Sequence, residues 1–423
     1  MQFNKIALAS AAAAVLGFAG QAQALTAPAG TTVYMTGASA TSANYVAALK
    51  SLCTAAGGSA KVFKNNTNVG TLGNFFTVQC QNAAGTAVVD FDTLSTSTVA
   101  FNVDGGSFTA VVNSSTGGTA TKFITPTAAT FGETCAIGVD TIACAQTATT
   151  ETKVSEGGFM DMEPAAFGTQ VDVYGDISGN VAVSNFSQAF YVAVSKGLYD
   201  ALQTAQGVAE PVGADERLPQ YQPSISRAQY ASIANNDVFG QAKTAPGAFL
   251  GVPAGKLTLC RRVDTSGTQA ASNQYFMNTL TGIGPNGGNL TPIGAAFPAT
   301  STFAVNEGAS TSNTRSCLGS ATAYAVGVLS AENAPKTTDL YRYVKLNGVA
   351  IGDAVKNKNA AVLGNYDFAY QSFTYCAAGV GSCAVLDAIN NTLGDLTNST
   401  GLYGKGESPF HHNDNNANPI TKN

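Results

Sequence analysis

The sequence predicts an α/β fold built as two lobes. Two segments, 32–52 and 256–280, each contain a β-rich run, a turn of small residues and then apolar residues at helical spacing. Further strand-like runs at 181–194 and 323–329 make strands and helices alternate along the chain, as α/β proteins do. About 400 residues follow residue 24, enough for two hydrophobic cores rather than one.

The start of the chain predicts an export signal over residues 1–24. Lys5 supplies a positive charge, an apolar run follows from Ile6 to Ala19, and Ala22-Gln23-Ala24 is a small-x-small cleavage pattern. The apolar run is shorter than the roughly 20 residues needed to span a bilayer. We therefore expect a periplasmic or extracellular protein with no transmembrane segment in its mature part.

Composition excludes polymeric anions as partners. The chain has 21 basic and 26 acidic residues, and only 11% of its residues are charged. Such a chain offers no basic surface for nucleic acid or for anionic lipid. We expect no nucleic-acid partner.

Eight cysteines, all in the mature part, predict disulfides in an exported protein. The count does not determine which cysteines pair, but pairing between sequence neighbours is the simplest hypothesis: Cys53 with Cys80, Cys135 with Cys144, Cys260 with Cys317, and Cys376 with Cys383. A metal site is the alternative. It is disfavoured because there is no C-x-x-C pair and both histidines, His411 and His412, fall in a polar tail.

Two predicted helices begin directly after small, hydroxyl-bearing turns, at residues 39–42 and 266–268. Free backbone N–H groups and the positive end of the helix dipole make such helix starts suitable for anions. Arg262 precedes the second turn and could hold a tetrahedral oxyanion through two N–H groups. Ordinary helix caps, and a surface salt bridge for Arg262, remain the alternatives.

A third segment combines Gly157-Gly158 with Asp161 and Pro164. Glycines beside a carboxylate let the backbone approach a ligand closely, and proline suits the first turn of a helix. Asp161 could equally be a helix cap.

These three segments resemble the ligand loops of the phosphate-binding proteins of phosphate ABC transporters, in the same order. The resemblance is carried by Thr36-Gly37-Ala38-Ser39-Ala40-Thr41, by the Gly-x-x-Asp segment that ends in Asp161, and most specifically by Arg262-Val263-Asp264-Thr265-Ser266-Gly267-Thr268. It implies a periplasmic-binding-protein type II fold, in which two α/β lobes are joined by a hinge of two crossing strands and close over the anion. It also implies an ABC permease as partner, and neither a cofactor nor catalysis.

The resemblance gives each residue of the implied phosphate site a role. Thr41 would bind one side of the anion, Asp161 would accept its proton, Arg262 would supply the ionic contact and Asp264 would orient Arg262. The full implied set is Ser39, Thr41, Ser42, Ser107, Asp161, Arg262, Asp264, Ser266, Gly267 and Thr268. Ser107 lies in Asp104-Gly105-Gly106-Ser107, which on its own indicates a hairpin turn. Ser42 stands where the family usually has an aromatic residue, which implies a wider or altered pocket.

The expected division of the chain follows from the same reasoning. It comprises a signal peptide (1–24), a first lobe (25–182 and 323–403, with an elaboration rich in Thr, Ala, Gly and Ser at 54–150), a second lobe (183–322) and a polar tail (404–423).

Three classes of function remain to be compared. The first is an exported receptor for phosphate or a related oxyanion. The second is a secreted or surface structural or adhesive protein built on the same scaffold, which the low charge and the insert at 54–150 favour. An enzyme is the third, but the sequence shows no metal-binding cluster, no histidine near a nucleophile, and neither a G-x-S-x-G nor a G-x-x-x-x-G-K-[ST] motif.

Overall fold

The computed structural model describes residues 31–64, 72–85, 87–124, 126, 135–137, 141–144, 150–236, 240–279, 291–350 and 359–395, with the short strands 402–404, 410–411 and 421–422. The predicted signal peptide lies outside these residues, and so does most of the predicted polar tail. No helix in the described ranges is both long enough and apolar enough to cross a membrane.

Strands and helices alternate through most of the described chain. The strands are β1 (Thr32–Gly37), β2 (Ser59–Lys64), β3 (Phe75–Gln81), β4 (Thr98–Asn102), β5 (Thr121–Ile124), β6 (Cys135–Ile137), β7 (Thr141–Cys144), β8 (Thr150–Lys153), β9 (Gly157–Met160), β10 (Val181–Ser195), β11 (Ser224–Ile225), β12 (Leu257–Arg262), β13 (Phe303–Gly308), β14 (Tyr324–Ser330), β15 (Tyr341–Tyr343), β16 (Lys345–Leu346), β17 (Ala369–Cys376), β18 (Leu402–Gly404), β19 (Phe410–His411) and β20 (Thr421–Lys422). The α-helices are α1 (Ser42–Ala55), α2 (Thr109–Val112), α3 (Thr169–Asp172), α4 (Lys196–Gln206), α5 (Arg227–Ala234), α6 (Gln241–Thr244), α7 (Pro246–Leu250), α8 (Gly267–Met277), α9 (Thr311–Leu318), α10 (Asn359–Val362) and α11 (Ala384–Asp395). Short 3₁₀ turns occupy Pro164–Phe167, Ser178–Asn180, Pro219–Tyr221 and Ala331–Asn333.

Two β-sheets share the long strand β10. The first half of β10 pairs with β17 and the second half with β14, so the order across both sheets is β13-β12-β14-β10-β17-β9-β1-β4-β3-β2-β7-β6. The pairs β12–β13, β12–β14, β1–β4 and β1–β9 are parallel, whereas β10 runs antiparallel to both β14 and β17. A single strand thus passes from one sheet into the other.

The chain returns to the first sheet beside that strand. The backbone N–H of Phe190 donates to the carbonyl of Phe368, and β17 begins at the next residue, Ala369. Two neighbouring segments therefore cross between the sheets, and the predicted α/β class with two lobes and two crossing strands is confirmed. The predicted lobe boundary at residue 323 stays a prediction. The pairing of β14 with β12 favours a boundary further along the chain.

Hydrophobic packing forms two cores. One lies where α1 and α11 cover a face of the first sheet, and its buried members include Tyr45, Leu49, Phe76, Phe101 and Leu386. The other covers the opposite face of that sheet and continues through the second sheet and its helices, from Phe108 and Met160 to Val192, Tyr275 and Phe303. The first sheet is therefore covered on both faces, and most side chains of its central strands β10 and β17 are buried.

Strands from 54–150 extend the first sheet. Strands β2 and β3 pair antiparallel and join the sheet through β4. Between β3 and β4, Val88 makes an isolated bridge to Gln81, and Phe91 lies in a bend.

Disulfides join sequence neighbours. Cys53–Cys80, Cys260–Cys317 and Cys376–Cys383 are bonded, so the neighbour hypothesis is confirmed for these three pairs. The antiparallel register of β6 and β7 places Cys135 opposite Cys144, but the side chains of this fourth pair lie outside the described residues.

We expect the Cys260–Cys317 disulfide to contribute more stability than Cys376–Cys383. The first closes a loop with a sequence separation of 57 and the second one of 7. Loop-closure entropy predicts about 4 kcal/mol for the longer loop and about 2 kcal/mol for the shorter. Urea unfolding of the two double Cys→Ser variants measures both values. Equal losses would contradict the expectation.

Candidate functional site

Arg262, the last residue of β12, has a buried guanidinium enclosed by polar atoms of one neighbouring loop. Its Nε donates to the carbonyl of Gly308 at 3.2 Å, and its Nη2 donates to that of Ala309 at 2.9 Å. Its Nη1 donates to the Thr311 hydroxyl at 3.1 Å and to the Ser39 hydroxyl at 3.4 Å. Parallel pairing of β12 with β13 brings the Gly308–Thr311 loop beside the strand end, which explains these contacts.

The hydrogen-bond partners of the Arg262 guanidinium described above are all uncharged. Among the described residues, no carboxylate lies within ion-pair distance of Arg262, which is only 3% exposed. Burial lowers the pKa of Arg262 to about 10, while Asp161 and Asp104 act in the opposite direction. A buried cation with neutral partners alone is electrostatically incomplete, and an anion would stabilise it.

Ser107 connects the Asp161 segment to the start of α8. Its hydroxyl oxygen accepts hydrogen bonds from the backbone N–H of Asp161 and from that of Gly267, each at 3.2 Å. Both N–H groups therefore point at the same atom, the Ser107 hydroxyl oxygen, which is a small hydrogen-bond acceptor. The loop that carries Ser107 leads from β4 into α2, so the hairpin expected there is wrong.

Gly267 allows these groups to approach one another. A Cβ at this position would lie 2.4 Å from the Ser107 hydroxyl oxygen, 2.6 Å from Cβ of Asp161 and 3.0 Å from its Oδ2. Contacts under 3 Å between such atoms require movement of one group. The first residue of α8 must therefore be glycine for Ser107 and Asp161 to sit against the helix start.

We expect Gly267→Ala to weaken anion binding while the protein stays folded. The added methyl group separates Ser107 and Asp161 from the amide of residue 267, and misplacing two contacts costs about 1–3 kcal/mol, or about 10- to 100-fold in affinity. Calorimetry with phosphate measures the loss. Gly213→Ala is a poor control because its φ is +84°, whereas Gly179, with open space around its Cβ position, is a suitable one. Unchanged binding in Gly267→Ala would contradict the expectation.

Asp161 is a buried carboxyl group beside this helix start. Burial raises its pKa to about 6, against hydrogen bonds from Ser107 and Thr268 and the charge of Arg262, all of which favour the ionised form. At neutral pH the carboxylate therefore prevails, but a proton added in weakly acidic solution binds here.

We expect Asp161 to make the ligand-free protein less stable as pH rises. The native pKa of about 6 exceeds the ordinary value of 3.8, so the folded state holds this proton more tightly than the unfolded chain does. The resulting decrease in the free energy of unfolding is absent well below pH 4 and complete above pH 6, where it amounts to about 3 kcal/mol. Asp161→Asn should remove it. Urea unfolding across this pH range measures the difference between variant and parent, and a difference that does not change with pH would disprove the assignment.

The start of α1 contributes the third part of the cluster. Thr41 is buried and donates its hydroxyl hydrogen to the Tyr45 hydroxyl, and the charge of Asp161 raises the pKa of Tyr45 further above its usual value than burial alone does. Ser42 donates to the carbonyl of Ser39 at 2.7 Å, and Ser39 shares a 2.9 Å hydrogen bond with Thr311. Residues of α1, the Asp161 segment and the Arg262 turn therefore meet at one place.

Two of the implied roles differ from the arrangement observed. Asp264 does not orient Arg262: its side chain is exposed and forms an ion pair with Arg261, which points to the other face of β12. Ser266 is the N-cap of α8, and its hydroxyl accepts from the N–H of Gln269 at 3.4 Å. Asp264 therefore lies outside the cluster in this structure, and Ser266 serves the helix as a cap.

Sequence reasoning did not find Thr311, Tyr45 or Asp104, all of which act on the cluster. Thr311 begins α9, whose capping box of Ser310 and Asn313 is a local signal that could have located a helix start here. Tyr45 follows Thr41 by four residues in α1, so helical spacing could have suggested that they touch.

Comparison with known proteins gives a remote likeness only. No family model matches the chain, and no curated protein matches it. A putative phosphate ABC transporter substrate-binding protein from Clostridium perfringens, solved with bound phosphate, is 12% identical with a TM-score of 0.43, over 86% of this chain and 93% of that one.

Two further solved structures are similar to the same degree or less. PstS from Borrelia burgdorferi is 10% identical with a TM-score of 0.33, over 88% of this chain and 98% of that one. A possible phosphate binding protein from Planctomyces limnophilus is 9% identical with a TM-score of 0.30, over 86% and 88%. Because these TM-scores are below 0.5, the functional conclusion depends on the site alone.

Proposed function

We propose that this protein binds a tetrahedral oxyanion that carries a proton, phosphate above all, in the cluster around Arg262 and Asp161. The observation that carries the proposal is the Arg262 guanidinium, which is buried beside hydroxyl groups and lies in the field of Asp161, while no carboxylate of the described residues forms an ion pair with it. A surface salt bridge would leave this side chain exposed. Burial of an incompletely compensated cation is the arrangement expected of an anion site.

The neighbouring groups provide the donors that an oxyanion needs. The hydroxyls of Ser39, Thr41 and Ser107 and the Gly267 N–H at the start of α8 hydrogen-bond to neighbouring protein groups in this structure. Turned toward a ligand, these neutral donors would hold a dianion without a matching number of cations. Asp161, when ionised, only accepts hydrogen bonds. It therefore suits an anion with a proton to donate and disfavours sulfate, which has none.

The proposed biological role is that of an exported solute-binding protein that delivers its ligand to an ABC permease. The two lobes joined by crossing strands are consistent with hinge closure over a ligand. This proposal includes the predicted export signal at 1–24 and the predicted lobe boundaries. It involves no catalytic step.

Isothermal titration calorimetry of the purified protein with phosphate, arsenate and sulfate tests the proposal. We expect heat with phosphate and arsenate at pH 8 and none with sulfate. Absence of binding to all three would overturn the proposal. Size-exclusion chromatography of the same samples would then show whether large assemblies form, which is the result expected of a surface structural protein.

A further inference from the structure

Glu332 and Gln188 form a second polar group on the hinge side of the same cluster. Gln188 lies in β10 near the crossing point between the sheets, and Glu332 lies in the 3₁₀ turn Ala331–Asn333 that follows β14. The Gln188 side-chain N–H donates to Glu332 Oε2 at 3.2 Å. The pair therefore ties the crossing strand β10 to the turn that follows β14.

Each member of this pair has one buried side-chain oxygen for which the described residues provide no hydrogen-bond partner. Glu332 Oε1 and Gln188 Oε1 are both shielded from solvent, and neither has a hydrogen-bond partner among the described residues. Gln188 as a whole is 0% exposed. An unsatisfied buried acceptor costs about 1–3 kcal/mol, so two such oxygens on one hydrogen-bonded pair require an explanation.

A single proton accounts for both oxygens. If Glu332 is a neutral acid with its hydrogen on Oε1, it becomes a donor, and the carbonyl oxygen of Gln188 is the acceptor that the same pair presents. The amide and the acid then exchange two hydrogen bonds, with N–H donating one way and O–H the other. An ionised Glu332 would leave both oxygens without a donor.

The electrostatic surroundings of Glu332 favour the neutral form. Within the described part of the chain, the titratable groups that interact with it are Asp161, Tyr45 and Tyr343, none of which is a cation. Burial first, and then the charge of Asp161, raise the pKa of Glu332 well above its usual value. Arg262 is thus the cation of a cluster that holds two carboxyl groups before any ligand enters.

We propose that Glu332 is the second carboxyl group of the anion site and that its pairing with Gln188 keeps it uncharged. This inference rests on the proposed function, because its consequence is that the site presents one negative charge to the ligand instead of two. A dianion beside two carboxylates and one guanidinium would face net repulsion at close range. A neutral Glu332 removes that repulsion and sets the charge state of ligand that the site accepts.

Infrared difference spectroscopy on the ligand-free protein tests the protonation state directly. We expect one protonated-carboxyl absorption at pH 8, retained in Asp161→Asn and lost in Glu332→Gln. A parent spectrum without this absorption, or an absorption that persists in Glu332→Gln, would overturn the proposal. The parent and Asp161→Asn spectra decide the matter even if Glu332→Gln does not fold.

Phosphate titration of Glu332→Gln provides the second readout. Glutamine keeps the shape and a donor but cannot ionise, so we expect phosphate affinity to change with pH in the same way in Glu332→Gln and in the parent between pH 7 and pH 9, whatever the absolute affinity of the variant. A pH-dependent change in the parent that is absent from Glu332→Gln would show that Glu332 ionises in this range and would refute the proposal. If neither protein binds phosphate while the absorption is present, the proposed function fails and the neutral acid stands.

Discussion

Replacing Arg262 by methionine is expected to lower phosphate affinity by at least about 30-fold. Removing one partner of a buried, hydrogen-bonded charge contact costs about 2–5 kcal/mol or more, which is roughly 30-fold to several thousand-fold in affinity. Methionine preserves much of the buried volume, so the fold should persist. Calorimetry with phosphate measures the effect.

Arg261→Met is the matched control for this variant. Arg261 is the preceding residue, is as deeply buried, and bonds to Asp264 and Glu307 on the other face of the strand. We expect this change to reduce stability but to leave phosphate affinity unaltered. If both variants lost binding equally, the loss would reflect damage to β12 rather than removal of an anion contact.

Asp161→Asn is expected to let the site bind sulfate. The carboxylate lacks a hydrogen to offer a fully deprotonated anion, whereas the asparagine amide has N–H groups. Satisfying this contact is worth about 1–3 kcal/mol, so sulfate affinity at pH 8 should rise about 10- to 100-fold. Calorimetry with sulfate measures the gain, and Asp172→Asn, at an exposed position in α3, is the control.

The parent protein should show the same change in selectivity when the solution is acidified. Sulfate keeps one charge state over the relevant range, so its binding reports on the protein alone. As pH falls through about 6, protonated Asp161 becomes a donor and sulfate affinity should rise, while that of Asp161→Asn should stay constant. If the parent protein binds no sulfate either well above or well below pH 6, the assigned role of Asp161 is contradicted.

Sequence patterns predicted those parts of the site whose residues are close together in the chain. Arg262 and the start of α8 are neighbours in the chain, so strand, turn and cap could be read together. The start of α5 is equally local, because Ser226 forms a full capping box with Gln229 three residues later. Disulfides between sequence neighbours also follow from short separations.

Contacts between distant segments were beyond the sequence patterns. Thr311 reaches Arg262 only because β13 lies parallel to β12, and the Gln188–Glu332 pair forms only because β14 lies against β10. Asp264 was assigned wrongly for a similar reason. The family resemblance implied that it orients Arg262, but side chains alternate along β12, and the ion pair of Asp264 is with Arg261.

The position of β17 bears on the order in which the chain can fold. It lies between β9 and β10, although the ribosome makes it after the whole second sheet. Until that late strand emerges, two neighbouring edges in the middle of the first sheet have no backbone partner, and such edges pair readily with other chains. The N-terminal sheet can therefore complete its backbone pairing only after the whole second sheet has been synthesised.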